Sequence, residues 1–271
     1  MGDKKQEEEE KVVSSTIDRH HKKEQEQDDD NDDDDEQELS LSDMFPPCEE
    51  VEIYHYNIND INLKIKGQQL QNINTQPSTG LLPWPAASIL FNFIAINNNL
   101  FNNKKVLELG TGVGVCGLVA SKFCASILMT DGDLSTLGQL SDNLDLNSSI
   151  FKVKPSIRHL YWGKDNQGTL DSVQKDFNEF DIVIGSDLIY QDASIEPLFY
   201  TVNQLLSKSN PENAFYLSFL DRKNHLPILE KVSSSYGFEM QSLPVDSFLT
   251  DLTNVSTMSK MFIFKRKETQ S

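Results

Sequence analysis

The chain is short of cysteine, of positive charge and of long apolar runs, and each shortage narrows what it can be. Cys48, Cys116 and Cys124 are the three cysteines among 271 residues, an odd set without metal-ligand spacing. They fit reduced, packed thiols in a reducing compartment rather than a disulfide framework. No stretch reaches the roughly 18 uninterrupted apolar residues that a membrane span requires. The opening Met1-Gly2-Asp3-Lys4-Lys5 has no apolar centre of a secretory signal. Gln6 breaks the myristoylation pattern, and Lys22-Lys23 is too short for a nuclear signal. These absences point to a cytoplasmic chain, with the nucleus left open. Basic residues number 24 against 42 acidic ones, for a net charge of −18. Phosphate backbones call for basic surface, so nucleic acid is not an expected partner, and neither is a membrane.

The acid is unevenly placed. Residues 1–50 hold 20 Asp/Glu and 6 Lys/Arg, a net −14 that leaves −4 for the rest. Glu7 to Glu10, Asp28 to Asp30 and Asp32 to Asp35 lie in a stretch with almost no large apolar residue before Leu39. Such a segment cannot bury enough surface to offset its ordering entropy, so residues 1–43 read as an acidic disordered tail. Two roles stay open for it, a solubilising arm or electrostatic steering of a basic partner. Residues 44–271 read as one domain. Within it, 50–80 form a small N-terminal β extension, where Ile61, Leu63 and Ile65 alternate with Asn62, Lys64 and Lys66. The core covers 81–268. Pro85 sits where helices like to start, ahead of a helix over Ala86 to Ile96. Strands are expected near 105–110, 126–131, 153–160, 180–185, 213–220, 236–242 and 259–266, with helices near 114–124, 134–147, 192–208 and 224–234. That alternation predicts an α/β fold with a mostly parallel sheet covered on both faces.

The most informative run is Val106-Leu107-Glu108-Leu109-Gly110-Thr111-Gly112-Val113-Gly114. A buried strand leads into glycines at every second position, and a helix follows: strand, tight turn and helix make a nucleotide-cofactor site. Gly112, Gly114 and Gly117 also satisfy G-x-G-x-x-G, the dinucleotide fingerprint, which is weak alone. Glu108 separates the two on charge. A carboxylate repels a pyrophosphate but welcomes S-adenosyl-L-methionine, which carries an ammonium and a sulfonium.

Four features follow in order. Asp131 ends the second core strand, placed to accept from ribose hydroxyls or to serve a helix cap with Asp133. Trp162, in His159-Leu160-Tyr161-Trp162-Gly163, closes the third, as an adenine contact or a core residue. The fourth strand ends Ile184-Gly185-Ser186-Asp187-Leu188-Ile189-Tyr190, which sets Asp187 and Tyr190 at the carboxyl rim where open α/β sheets bind ligands. The other reading of that pair is a turn and a packing residue. Leu82-Pro83-Trp84-Pro85-Ala86 places a proline-stiffened Trp ahead of the first core helix.

Trp-Pro-Ala, E-L-G-x-G-x-G, the acid at 131, Leu-x-Trp-Gly at 160–163 and Asp-x-x-Tyr at 187–190 together resemble the class I, seven-strand S-adenosylmethionine-dependent methyltransferases. More narrowly, they resemble the methyltransferase family 16 branch, whose characterised members mostly methylate lysine side chains of specific proteins. The resemblance spans about 50–268 and leaves out the acidic tail. It implies a Rossmann-like seven-strand twisted sheet with the last strand antiparallel. It also implies that Glu108, Gly110, Gly112 and Gly114 line the methionine end of the cofactor, that Asp131 holds the ribose, that Trp162 flanks the adenine and that Trp84 closes over it. Ser186 would sit at the mouth of the methyl channel, with Asp187 and Tyr190 the catalytic pair that captures and aims the incoming amine. The acidic charge of the chain points to a basic protein partner, such as a translation, chaperone or chromatin factor, and a monomeric enzyme is expected. Other acceptors (arginine, histidine or a small amine) and a catalytically silent cofactor-binding module stay open. The Asn/Asp-Pro-Pro-Tyr signature of nucleic-acid amine methylation is absent. Residues 243–258 depart from the family pattern, being longer and more polar than a tight hairpin.

Overall fold

The computed structural model describes residues 51–68, 80–81, 83–249 and 258–267. The acidic tail, Cys48, Leu82 and residues 250–257 of the 243–258 loop lie outside the described residues. The unit Glu49–Ser271 holds everything described.

A hairpin comes first, β1 (Val51–Ile58) and β2 (Ile61–Gln68), paired antiparallel and separate from the main sheet. The main sheet contains β3 (Lys105–Leu109), β4 (Ser126–Asp131), β5 (Ser156–His159), β6 (Ile182–Ser186), β7 (Ala214–Leu220), β8 (Phe238–Ser242) and β9 (Ser259–Arg266), in the order β5-β4-β3-β6-β7-β9-β8. Strands β3 to β7 run parallel, and β9 inserts antiparallel between β7 and β8. The expected seven strands and the antiparallel last strand are all present.

Side-chain alternation explains why both faces are covered. Val106, Ile127, Met129, Ile182 and Ile184 point to one face, where helices α1 (Ala87–Ile96), α2 (Val115–Ser121) and α3 (Leu134–Leu146) pack with the hairpin. Leu107, Leu109, Leu128, Val183, Phe215 and Leu217 point to the other, under α4 (Gln167–Phe177), α5 (Ile195–Leu205) and α6 (Leu226–Ser235). Helix α4 is absent from the sequence-based expectation. It buries Leu170 and Val173, half-buries Phe177 at its last residue, and is otherwise Gly or polar, so only three residues carry its period. The helix expected over 192–208 is a short 3-10 turn at 192–194 followed by α5.

The hairpin is fastened by amides. Asn143 on α3 and Asn147 at its C-cap are four residues apart, a rise of about 6 Å, close to the roughly 6.7 Å spanned by two strand residues. Their side chains can therefore act as the neighbouring strand that β2 lacks. Lys66 N–H donates to Asn143 Oδ1 (2.7 Å) and Lys64 N–H to Asn147 Oδ1 (2.9 Å), while the two amide groups donate back to the Lys66 and Lys64 carbonyls at 3.0 and 2.7 Å. Asn143 Nδ2 also donates to the Val113 carbonyl in the glycine turn, at 2.9 Å. Replacing Asn143 by Leu takes this partner from the Lys66 N–H and the Val113 carbonyl, while the Lys66 carbonyl keeps the Gln139 amide. Each unpaired buried group costs about 1–3 kcal/mol, so roughly 3 kcal/mol should be lost, read as a lower denaturant midpoint at unchanged slope. A loss below about 0.5 kcal/mol would show that water replaces the amide.

Candidate active site

The chain reverses its direction of travel across the sheet between β3 and β6. From β3 it moves outward through β4 to β5, then returns to place β6 on the other side of β3. In open α/β sheets the crevice at such a switch, beyond the carboxyl ends of the strands, is where ligands bind. A cavity of about 440 Å³ lies there. Its lining brings together Trp84, Gly110, Gly112, Asp131, Trp162, Ser186, Asp187 and Tyr190, eight of the ten residues singled out from the sequence. A smaller cavity of about 30 Å³ shares Trp84, Gly110, Gly112 and Ser186 with it and adds Glu108 and Cys116. Gly114 lines neither. It takes φ +92° as the residue before α2, with Leu140 and Met129 against the place a side chain would fill.

The turn after β3 needs glycine at its apex. Gly110 has φ +59°, and a Cβ there would lie 2.5 Å from Leu188 Cδ2 and 3.2 Å from Trp162 Cζ2. The turn is held by Thr111 N–H to the Thr130 carbonyl and Gly114 N–H to the Thr111 carbonyl, both at 2.9 Å.

Glu108 has a structural job that sequence reading did not reveal. Its side chain is 2% exposed and accepts from Thr111 Oγ1 at 2.6 Å and from the backbone N–H of Gly117. That N–H belongs to the first turn of α2, whose donors have no partner within the helix. Since Gly114 offers no side-chain cap, the strand acid caps the helix from below. Gly117 is glycine because a Cβ there would run into the carboxylate. Burial pushes the Glu108 carboxyl up to about 8, with the hydrogen bonds from Thr111 and Gly117 pulling the other way and Asp131 adding to the rise.

Asp131, at the tip of β4, is similarly committed. Its Oδ2 accepts from Gly112 N–H and its Oδ1 from Asp133 N–H, both at 3.0 Å, and burial raises its pKa. Asp133 caps α3 by accepting from Ser135 N–H at 2.8 Å. Beyond β5, Trp162 packs against the core on one side and lines the cavity on the other. Gly163, at φ +94°, turns the chain away against Pro197. Tyr161, 48% exposed, shares the wall with it. Sequence reading assigned that residue no role, though it adjoins the Trp and stands over Gly132, where a Cβ would lie 3.1 Å from its ring.

At the tip of β6, Asp187 adopts φ +53°. The other described non-glycine residues with positive φ are all asparagines; Asp shares with Asn the short polar side chain that tolerates this region. Its N–H donates to the Ser218 carbonyl at 2.8 Å, Oδ2 accepts from Ala86 N–H at 2.8 Å, and Oδ1 accepts from Leu220 N–H at 3.3 Å. Burial raises its carboxyl, opposed by those backbone hydrogen bonds and by Arg222. Tyr190 stands at the mouth, 54% exposed. Just beyond it, Asp192 lies 3.7 Å from the buried His225, which also meets Asp221 at 3.2 Å. These contacts tie the loops after β6 and β7 together.

Comparison with known proteins bears on this geometry. The protein-lysine N-methyltransferase EFM3 of Chaetomium thermophilum is 32% identical over 136 residues, 49% of this chain and 40% of that protein. The protein-lysine methyltransferase METTL21E of Mus musculus is 28% identical over 183 residues, 62% of this chain and 71% of its own. The histone-arginine methyltransferase METTL23 of Rattus norvegicus is 26% identical over 181 residues, 65% of this chain and 75% of its own. The chain spans 40% of the length of that EFM3, and 63% and 64% of two further curated relatives. A 16S rRNA methyltransferase of T. thermophilus, solved with AdoMet and guanosine, shares the fold with a TM-score of 0.53 at 15% identity, over 80% of this chain and 51% of that one. A family profile described as lysine methyltransferase matches residues 59–231, from the hairpin through β3 to β7 and into α6; the chain belongs to the lysine methyltransferase family.

Proposed function

We propose that this chain uses S-adenosyl-L-methionine to methylate a lysine side chain of a protein. The charge of the cavity carries the reading. Among its described lining residues are Asp131, Asp133 and Asp187, and no Lys, Arg or His. A pyrophosphate would be repelled there, whereas a ligand with an ammonium and a sulfonium is attracted. The cavity volume falls within the roughly 300–1,000 Å³ of small-molecule sites, and the Gly110 apex leaves room that a side chain would fill.

Asp131 would hold the ribose through the lone pairs left over from Gly112 and Asp133. Trp162, with Tyr161, would flank the adenine, and Trp84 would cover the cofactor. Glu108, Gly110 and Gly112 would face its methionine end, Glu108 from the smaller cavity. S-adenosyl-L-methionine supplies a sulfonium-bound methyl group open to in-line displacement. The protein's part is alignment, which can supply about 7–11 kcal/mol of a barrier. A lysine amine, with a reference pKa near 10.4, must also shed a proton before it attacks. Removal from water lowers that pKa, while the Asp187 carboxylate attracts the charged form and so draws the amine in. Ser186, Asp187 and Tyr190 would shape this acceptor pocket, with the Tyr190 ring at its mouth.

Titration with S-adenosylmethionine and with NAD(H) tests the cofactor: binding of NAD(H) alone would overturn the reading. Incubation with cell extract and labelled S-adenosylmethionine, followed by hydrolysis of the labelled protein, tests the acceptor. Methyl-lysine is expected. Methyl-arginine would move the assignment toward the acceptor named for METTL23.

The proposed partner is a basic protein, of the translation, chaperone or chromatin kind, met by a monomer in the cytoplasm or nucleus. The net −14 of residues 1–50 supports it. If the acidic tail steers this partner, deleting residues 1–43 should slow association several-fold at low salt and leave it unchanged once salt shortens the Debye length to about 3 Å. An identical rate at low salt would reduce the tail to a solubilising arm.

A further inference from the structure

The peptide of Ala86 is gripped from both ends. Its N–H donates to Asp187 Oδ2 at 2.8 Å, and its carbonyl accepts from Ser218 Oγ, also at 2.8 Å. Ala86 and Ser218 are both fully buried. The two jaws are themselves joined, because Asp187 N–H donates to the Ser218 carbonyl at 2.8 Å where β6 and β7 lie side by side. Ser218 lines neither cavity. What the grip holds is the start of α1, which has no side-chain cap of its own. Two residues before Ala86 is Trp84, set between Pro83 and Pro85 and lining both cavities. Proline fixes φ on either side of the Trp, so a displacement at Ala86 is passed on to the indole rather than absorbed.

We propose that Asp187 and Ser218 form a clamp on the Ala86 peptide that sets the position of the Trp84 wall, making Ser218 a positioning residue that touches neither cofactor nor acceptor. Asp187 thereby acts on the cofactor side of the cavity through the backbone, in addition to facing the acceptor pocket. The inference goes beyond the proposed reaction, and its main readout does not depend on it.

The chain offers a direct probe, since it has two tryptophans, Trp84 and Trp162, and both line the larger cavity. In a Trp162→Phe background of the full chain, emission comes from Trp84 alone. Ser218→Ala should shift that emission to the red and raise its quenching by acrylamide about twofold, in protein that still unfolds cooperatively. S-adenosylhomocysteine should bind that variant about fivefold more weakly by calorimetry. Ser218→Thr, which keeps the hydroxyl, should restore both. Asp187→Asn is the second variant, for use if Ser218→Ala does not fold; it sets an NH₂ against one of two backbone N–H groups and should loosen Trp84 in the same direction. Trp84 emission and quenching unchanged from the parent, in whichever of these variants folds, would overturn the clamp. Failure of the unsubstituted chain to bind S-adenosylhomocysteine would instead count against the proposed function, with the ligand-free fluorescence still deciding the clamp.

Discussion

Glu108→Gln should largely remove a pH dependence of stability that the parent protein shows between about pH 5 and 8. The Glu108 carboxyl is raised by burial from 4.5 to about 8 in the folded protein. Across that window the native state holds a proton that the unfolded chain releases. Its contribution is therefore fully present below the unfolded value and is lost as pH rises through the folded one. One pKa unit corresponds to about 1.4 kcal/mol, so the full swing is on the order of 5 kcal/mol, large against a typical stability of roughly 5–15 kcal/mol. The substituted amide would keep the shape and the bond from Thr111 and has no proton to lose. Denaturant unfolding of both proteins at several pH values isolates the effect, because Asp131 and Asp187, also raised by burial, are common to both. Parallel stability curves would show that Glu108 ionises in place at no cost. The same charge logic applies to the ligand. S-adenosylmethionine has a sulfonium that S-adenosylhomocysteine lacks, so its binding should strengthen more steeply as pH rises toward 8, with proton release seen in buffers of different ionisation enthalpy.

Asp187→Ala carries the second large effect. It leaves the N–H groups of Ala86 and Leu220 without their acceptor and puts an ordinary residue at φ +53°, a backbone cost of order 1–3 kcal/mol. It also removes a carboxylate that lines the cavity at the β6 tip. Misplacement of about 1 Å in an alignment-driven reaction can cost 10²-fold, and methylation of the labelled extract protein should fall by at least that. S-adenosylhomocysteine binding should weaken about tenfold, through the Trp84 wall. Asp187→Asn tolerates the same backbone but keeps an acceptor for only one of the two N–H groups, so it should recover part of the stability and none of the turnover. Near-normal turnover in the alanine variant would end the assignment of Asp187 to the site.

Both predictions rest on partners that sequence reading could not supply. The seven strands were legible because each is a short apolar run between turn residues, and the cofactor turn because three glycines two apart have few other uses. Helix α4 was not, since its apolar face is only Leu170, Val173 and the half-buried Phe177 in an otherwise polar stretch. Glu108, Asp131 and Asp187 are legible as acids at or near strand ends, whereas their backbone partners are not. Gly112 lies 19 residues from Asp131 and Ala86 lies 101 from Asp187; such pairings are set by strand order, which no local pattern encodes. Ser218 was invisible for a different reason. Inside Ala214–Leu220 it reads as one polar letter in a buried strand, and only the neighbouring Ala86 carbonyl gives it a purpose. Gly114 shows the reverse: a motif letter read toward the ligand, whose surroundings are the start of α2 and the side chains of Leu140 and Met129.

The amide ladder between α3 and the hairpin has a kinetic consequence. Asn143 and Asn147 meet Lys66 and Lys64 across separations of 77 and 83 residues, so the matching edge exists only after α3 has formed and been brought back over the sheet. Loop closure must come before these contacts reward it. The hairpin is thus a late-docking element, and the Val113 carbonyl, which draws on the same Asn143 amide, acquires that donor only once α3 is seated. During refolding the cofactor cradle should gain its rigidity after the sheet has assembled, with ligand-binding capacity lagging behind secondary structure.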